Sequence, residues 1–149
     1  MKNLFFLLLT SAGFFACTNE STESTATEPT IAVQEINACY TSINKKDSLQ
    51  LSLNIIGTRV RGEMKYQLYK KGPNQGTLRG KLMGDTIVAD YTFLSEGKQS
   101  VRQLAFLRKG DTLTEGFGEL INNKGIMTFS NTAALDFSKG ILLQKTDCP

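Results

Sequence analysis

The side chains in this sequence with chemical reach are carboxylates, arginines, tyrosines and a few cysteines. The 149 residues include no His, no Trp and three Cys. Without His, the Ser-His-Asp and Cys-His nucleophile systems and the usual His-ligated zinc site are unavailable. No Gly-rich loop follows a strand and opens a helix, so neither a nucleotide nor another cofactor or metal is expected. What remains for acid/base work is a group that β alternation would place on one face: Tyr91, Arg102, Glu115, Phe117 and Glu119. Charges inside a small barrel must be paired or they cost several kcal/mol. An internal Arg102–Glu115 ion pair is therefore the first expectation. A polar floor for a ligand head group is the second, and a glycosidase-like carboxylate pair a distant third. No catalytic residue is assigned, and the protein reads as a non-enzyme.

Those positions depend on hairpins that keep register. Residues 76–121 read as four strands joined by the turns Gly84-Asp85, Glu96-Gly97 and Lys109-Gly110, since turns with φ > 0 favour Gly. The first turn sets Leu82 against Ile87, Gly80 against Ala89 and Leu78 against Tyr91. The second sets Tyr91 against Arg102 and Ile87 against Phe106. The third would set Phe106 against Leu113, Leu104 against Glu115 and Arg102 against Phe117. A slip of one residue turns every side chain over, so agreement of three turns on one apolar face is a strong signal.

Residues 48–55 alternate in the same way, and Gly57-Thr58 brings Leu51 opposite Met64 and Leu49 opposite Tyr66. Downstream, Asn122-Asn123-Lys124-Gly125 suggests a three-residue hairpin loop that puts Met127 and Phe129 inside. Ser138-Lys139-Gly140 suggests a turn into a last strand at 141–146. Residues 130–137 carry no clear pattern, and no helix of normal length follows the N-terminal segment. The predicted fold is all-β: a single antiparallel up-and-down meander closed into a small barrel of about 8 to 10 strands. Inward Gly62, Gly76 and Gly80 suit strands that bend sharply.

The chain divides into a targeting segment at 1–16, a Ser/Thr/Glu-rich tether at 17–36 and the barrel at 37–149. The first resembles a bacterial lipoprotein signal peptide: Lys2 is its basic end, residues 4–9 its apolar core, and Ala16-Cys17 its cleavage point. That resemblance implies a lipid, palmitate among its acyl chains, on Cys17. Thr18 after it resembles lipoproteins sent to the outer membrane. The tether is too poor in apolar residues to offset its ordering entropy and is expected to be disordered. With Cys17 acylated, Cys39 and Cys148 remain, outside the cytoplasm, where a disulfide between them would persist and draw the first and last strands together.

On the opposite face lies a basic stripe, Arg61, Lys65, Arg79 and Lys81, with Lys65 expected opposite Arg79 and Glu63 opposite Lys81. From residue 37 onward there are 16 Lys and Arg against 10 Asp and Glu, a balance of +6. Most such stripes are solvated faces, although anionic lipid or glycan would suit this one. Nucleic acid is not expected as a partner, because no aromatic residues interleave the charges and the expected compartment is the wrong one. Val88, Leu94, Val101 and Leu107 also point outward, a candidate patch for an envelope protein partner. Asp47-Ser48-Leu49, Asp85-Thr86-Ile87 and Asp111-Thr112-Leu113 resemble the O-glycosylation sites of exported Bacteroidota proteins, which would mark Ser48, Thr86 and Thr112; ordinary hairpin starts carry the same residues.

The run Gly84-Asp-Thr-Ile-Val-Ala-Asp-Tyr91, with Gly110-Asp-Thr-Leu-Thr-Glu-Gly-Phe-Gly-Glu119, resembles a family of small Bacteroidota lipoproteins, and the likeness extends over about residues 39–148. It implies envelope placement and a β-rich, calycin-like domain, and brings no activity with it. Two functions follow as expectations. One is a membrane-anchored, non-catalytic binding or interaction module; the other is a lipocalin-like carrier of a small amphiphile in the barrel interior.

Overall fold

The computed structural model describes residues 33–149 other than 45, 68, 71 and 96, so the expected signal segment 1–16, Cys17 and residues 18–32 of the expected tether lie outside the described residues. Among the described residues ten strands form one sheet: β1 (Glu35–Asn44), β2 (Asp47–Ile56), β3 (Arg59–Gln67), β4 (Asn74–Met83), β5 (Thr86–Ser95), β6 (Lys98–Lys109), β7 (Thr112–Gly116), β8 (Leu120–Asn123), β9 (Ile126–Phe129) and β10 (Leu142–Thr146). Strands β1 to β7 pair antiparallel in chain order, and β10 enters between β7 and β1. These eight close the barrel, which leaves no free edge among them. The described chain up to Pro149 forms one compact unit, which holds every strand and the whole core found among the described residues. Strand β1 begins at Glu35, so the barrel starts two residues before the expected boundary, and Ile36 packs on the core instead of belonging to the tether.

Alternation is what builds the wall. In β2, Leu49, Leu51, Leu53 and Ile55 are buried, facing Tyr66, Met64, Gly62 and Val60 of β3 as the turn at Gly57-Thr58 requires. The registers set by Gly84-Asp85 and by the turn before Lys98 also agree with expectation: Leu78 faces Tyr91, and Tyr91 faces Arg102. At the inward glycine Gly80 the neighbouring strand comes so close that any Cβ would run into the Val88 carbonyl and the Ala89 backbone.

Two registers differ from expectation. The β6–β7 turn is Gly110-Asp111, with Gly110 at φ 56°, which moves the pairing by two residues. Phe106 therefore faces Glu115 rather than Leu113, and Phe117 does not reach Arg102. A shift of two preserves which face is inside, so Leu113 and Glu115 still point inward. The β3–β4 loop is longer and fixes register less tightly. Arg61 faces Arg79 and Arg59 faces Lys81, in place of Lys65 with Arg79 and Glu63 with Lys81.

The chain also leaves the meander after Gly116. Phe117 and Asp136 exchange backbone hydrogen bonds, 2.9 and 2.8 Å, at the base of an excursion that carries β8, β9 and a short 3-10 turn at Thr132–Ala134. Strand β7 has only five residues, whereas β6 has twelve. Strand β9 takes the part of the β6 edge that β7 does not reach, pairing parallel at Val101 and Arg102. The hairpin loop is Lys124-Gly125, both at positive φ, two residues rather than three. Met127 is exposed and Phe129 half-buried outside the barrel, so neither lines the interior as expected, and Phe117 is exposed as well. Phe137 of the returning chain lies against the outer side of Gly116, where a Cβ would strike its ring. Opposite Gly116, the outward Ala105 is completely buried.

Cys39 and Cys148 are joined in a disulfide with a Cα–Cα distance of 5.2 Å. It reinforces the β1–β10 seam, which holds three paired positions against ten between β1 and β2.

Candidate functional site

The two mouths of the barrel differ. Beside the β2–β3, β4–β5 and β6–β7 turns the lining is apolar: Ile55, Val60, Leu82, Ile87 and Leu113. At the other end β3, β4, β5, β6 and β7 bring Tyr66, Asn74, Tyr91, Arg102 and Glu115 together. The Tyr66 hydroxyl donates to Glu115 Oε1 at 3.2 Å, across the barrel. The Tyr91 hydroxyl donates to Asn74 Oδ1 at 2.9 Å, with the Met64 carbonyl a longer second acceptor at 3.4 Å. Tyr91 stacks on Phe93, centroids 4.9 Å apart, and meets Tyr66 edge-on at 6.4 Å. These rings fix the hydroxyls by packing, so the polar layer is rigid.

Its electrostatics are set by burial. Glu115 is 4% exposed. Burial pushes its carboxyl above the usual range, only partly offset by the Tyr66 hydrogen bond and the Arg102 charge. Burial also raises the Tyr66 hydroxyl, and the neighbouring Glu115 charge raises it further. Tyr91 is raised by burial against the opposing pull of Arg102. The expected Arg102–Glu115 ion pair is not made: among the described residues the ion pair is the exposed Lys145–Asp111 contact at 3.3 Å. Arg102 acts at longer range, and the direct partner of Glu115 is a tyrosine. No buried side-chain polar atom lacks a hydrogen bond among the described residues.

Glu119 is not part of this layer. It lies exposed on the excursion and accepts from the Ser130 hydroxyl at 3.1 Å, so no carboxylate pair forms with Glu115. Tyr66 was legible in the sequence as an inward residue of β3. Its role towards Glu115 was not, because a contact across the barrel has no signature in hairpin arithmetic. Tyr66 also edges a cleft of about 450 Å³ at this mouth, together with Ser42, Ser48, Leu49 and Lys139. Ser48, Thr86 and Thr112 all sit outward and half-buried at strand starts, and the Thr112 hydroxyl donates to the Lys109 carbonyl at 2.8 Å. Of the expected outer apolar patch, Leu94 is exposed, while Val88, Val101 and Leu107 are half-buried, Val101 beside β9.

The raised carboxyl of Glu115 gives a pH dependence of definite sign. In the unfolded chain this group ionises at an ordinary pH, while the folded protein holds its proton to a higher one. Its contribution is fully present below the unfolded value and is lost as pH rises through the folded value. Glu115→Gln keeps an acceptor for Tyr66 and removes the titration. Urea midpoints measured from pH 4 to pH 8 should fall less steeply with rising pH in the variant, which should be at least as stable as the parent at neutral pH. Parallel curves for the two proteins would contradict the assignment.

No family model matches the chain, and no curated protein or solved structure matches it.

Proposed function

We propose that this protein is a lipid-anchored component of the cell envelope, in the outer membrane, whose barrel serves as a non-catalytic binding or interaction module. The observation that carries the reading is the Cys39–Cys148 bridge, because a structural disulfide of this span belongs to an oxidising compartment. The signal-like segment ending at Cys17 and the resemblance to small Bacteroidota lipoproteins point the same way. The barrel interior is occupied by the protein's own side chains, with Tyr91, Phe106, Leu51 and Met64 among those fully buried. That favours work done at the outer surface and the mouths. Carriage of a small amphiphile, the second reading, is supported by the mouth cleft beside Tyr66 rather than by a hollow interior.

Native mass spectrometry of the protein purified from its own envelope tests the proposal. The expected mass is that of a chain beginning at Cys17, with acyl chains attached and two fewer hydrogens for the bridge. Hexose-type additions would show glycosylation, and fragmentation of the peptides holding Ser48, Thr86 and Thr112 would place it. A mature chain without acyl groups, or with free thiols at Cys39 and Cys148, would refute the anchored envelope reading.

A further inference from the structure

The β2–β3 and β4–β5 turns end the barrel at its apolar mouth, and the outer face beside them has an unusual charge pattern. Arg59 is directly opposite Lys81, and Arg61 directly opposite Arg79. Facing residues in an antiparallel pair have Cβ atoms about 5 Å apart, and alternate residues along a strand are about 7 Å apart. Four exposed cations therefore occupy one small rectangle. Like charges placed opposite each other destabilise a sheet.

The acids nearby do not form ion pairs with the rectangle. Glu35 accepts from Asn54 Nδ2 at 2.6 Å and from Asn37 at 3.3 Å, and Asp90, opposite Arg79, accepts from Gln103 at 3.2 Å. Glu63 faces Ser52 and Thr77, and Asp85 is in the β4–β5 turn. Among the described residues none of the four cations makes an ion pair with a carboxylate.

Large apolar residues adjoin these cations, exposed at the same end: Ile56 at 41%, Met83 at 51% and Val33 at 61%. Ile56 is paired directly with Arg59, and Met83 precedes the β4–β5 turn. The N-terminal segment also enters here. The Gly57 amide donates to the Gln34 carbonyl at 3.3 Å, and Val33 Cγ1 is 3.5 Å from where a Cβ on Gly57 would sit. The chain that leads back to Cys17 thus leaves the barrel beside the cationic rectangle.

We infer that this end of the barrel docks on an anionic phospholipid surface, with Arg59, Arg61, Arg79 and Lys81 meeting head-group phosphates and Val33, Ile56 and Met83 entering the interfacial layer. A cation cluster bordered by apolar side chains suits that boundary, where both attractions act together. The inference builds on the envelope reading, in which the tether links this end of the barrel to a bilayer. The surface itself would bind without the anchor, so the two can fail separately.

The test is flotation of residues 18–149, which lack the leader and the lipid-bearing Cys17 but keep the whole barrel unit. The vesicles are phosphatidylcholine alone, or phosphatidylcholine mixed with phosphatidylglycerol. The protein should float with the mixed vesicles, fail to float with the neutral ones, and lose binding as salt is raised. Each cation removed should weaken partition about fivefold at low salt, so R61Q/R79Q should lose about thirtyfold. K98Q/K124Q makes the same change in net charge away from the rectangle and from the mouth cleft, and should bind as the parent does. Thermal unfolding confirms that both variants fold. Equal binding to neutral vesicles, or equal loss in the two double variants, overturns the inference. Binding that appears only when Glu20, Glu23 and Glu28 are changed to Gln would assign the rectangle to the chain's own acidic segment, and would overturn it too.

Discussion

Cys39→Ser is expected to cost the barrel about 4 to 5 kcal/mol, the chain-entropy value for a crosslink closing a loop of about a hundred residues. The two cysteines are 109 positions apart, so the bridge restrains nearly the whole folded unit in its unfolded state. For a domain of this size the loss corresponds to a fall in Tm of about 15 to 20 °C. The native state supplies a second reason for a large effect. Strands β1 and β10 share three paired positions at the seam that closes the barrel, and the Cys39–Cys148 bond lies beside them. Without the bond β10 should open first, and its amides should exchange with solvent well before those of β2 or β5. The Cys39→Ser, Cys148→Ser double variant should resemble the single one. A Tm within a few degrees of the parent would mean that residual structure in the unfolded chain already holds the ends together.

The fold was legible wherever a two-residue turn separated alternating strands. Leu51, Tyr91 and Phe106 share one lining because each flanking hairpin preserves parity. Parity is also all that such arithmetic protects. Taking Lys109-Gly110 for Gly110-Asp111 left Glu115 on the correct face yet opposite the wrong residue, which hid its distance from Arg102. The β3–β4 connection is too long to set a register by turn chemistry, so the like-charge pairs Arg61–Arg79 and Arg59–Lys81 could not be read in advance. The excursion after Gly116 was hidden for another reason. Phe137 covers Gly116 on the outside of the sheet, while Phe129 and Leu135 pack on Gly118 of the excursion itself, and contacts of that kind have neither helical nor strand period. The closing seam was visible through the two cysteines alone, since β10 pairs with strands remote in sequence.

Phe106→Ala bears on function most directly, because it separates a filled barrel from a hollow one. Phe106 is completely buried between Ile87 on β5 and Glu115 on β7, at the centre of the core. Truncating a buried Phe costs about 3 to 5 kcal/mol when the surroundings cannot collapse into the space. A closed eight-stranded wall should resist collapse, and eight strands enclose just enough room for side chains. The cost should therefore lie near the upper end, read from urea unfolding, while Leu94→Ala on the exposed face should stay within about 0.5 kcal/mol of the parent. The variant should also gain a dry cavity that takes up benzene, raising its Tm in saturated solution, whereas the parent should show no such rise. If the parent instead responds to benzene and Phe106→Ala costs little, the lining does not fill the barrel. Carriage of an amphiphile inside would then be the better account. If the parent is indifferent and the variant responds, the interior serves as a rigid support, and the polar mouth and the cationic end remain as the surfaces able to meet a partner.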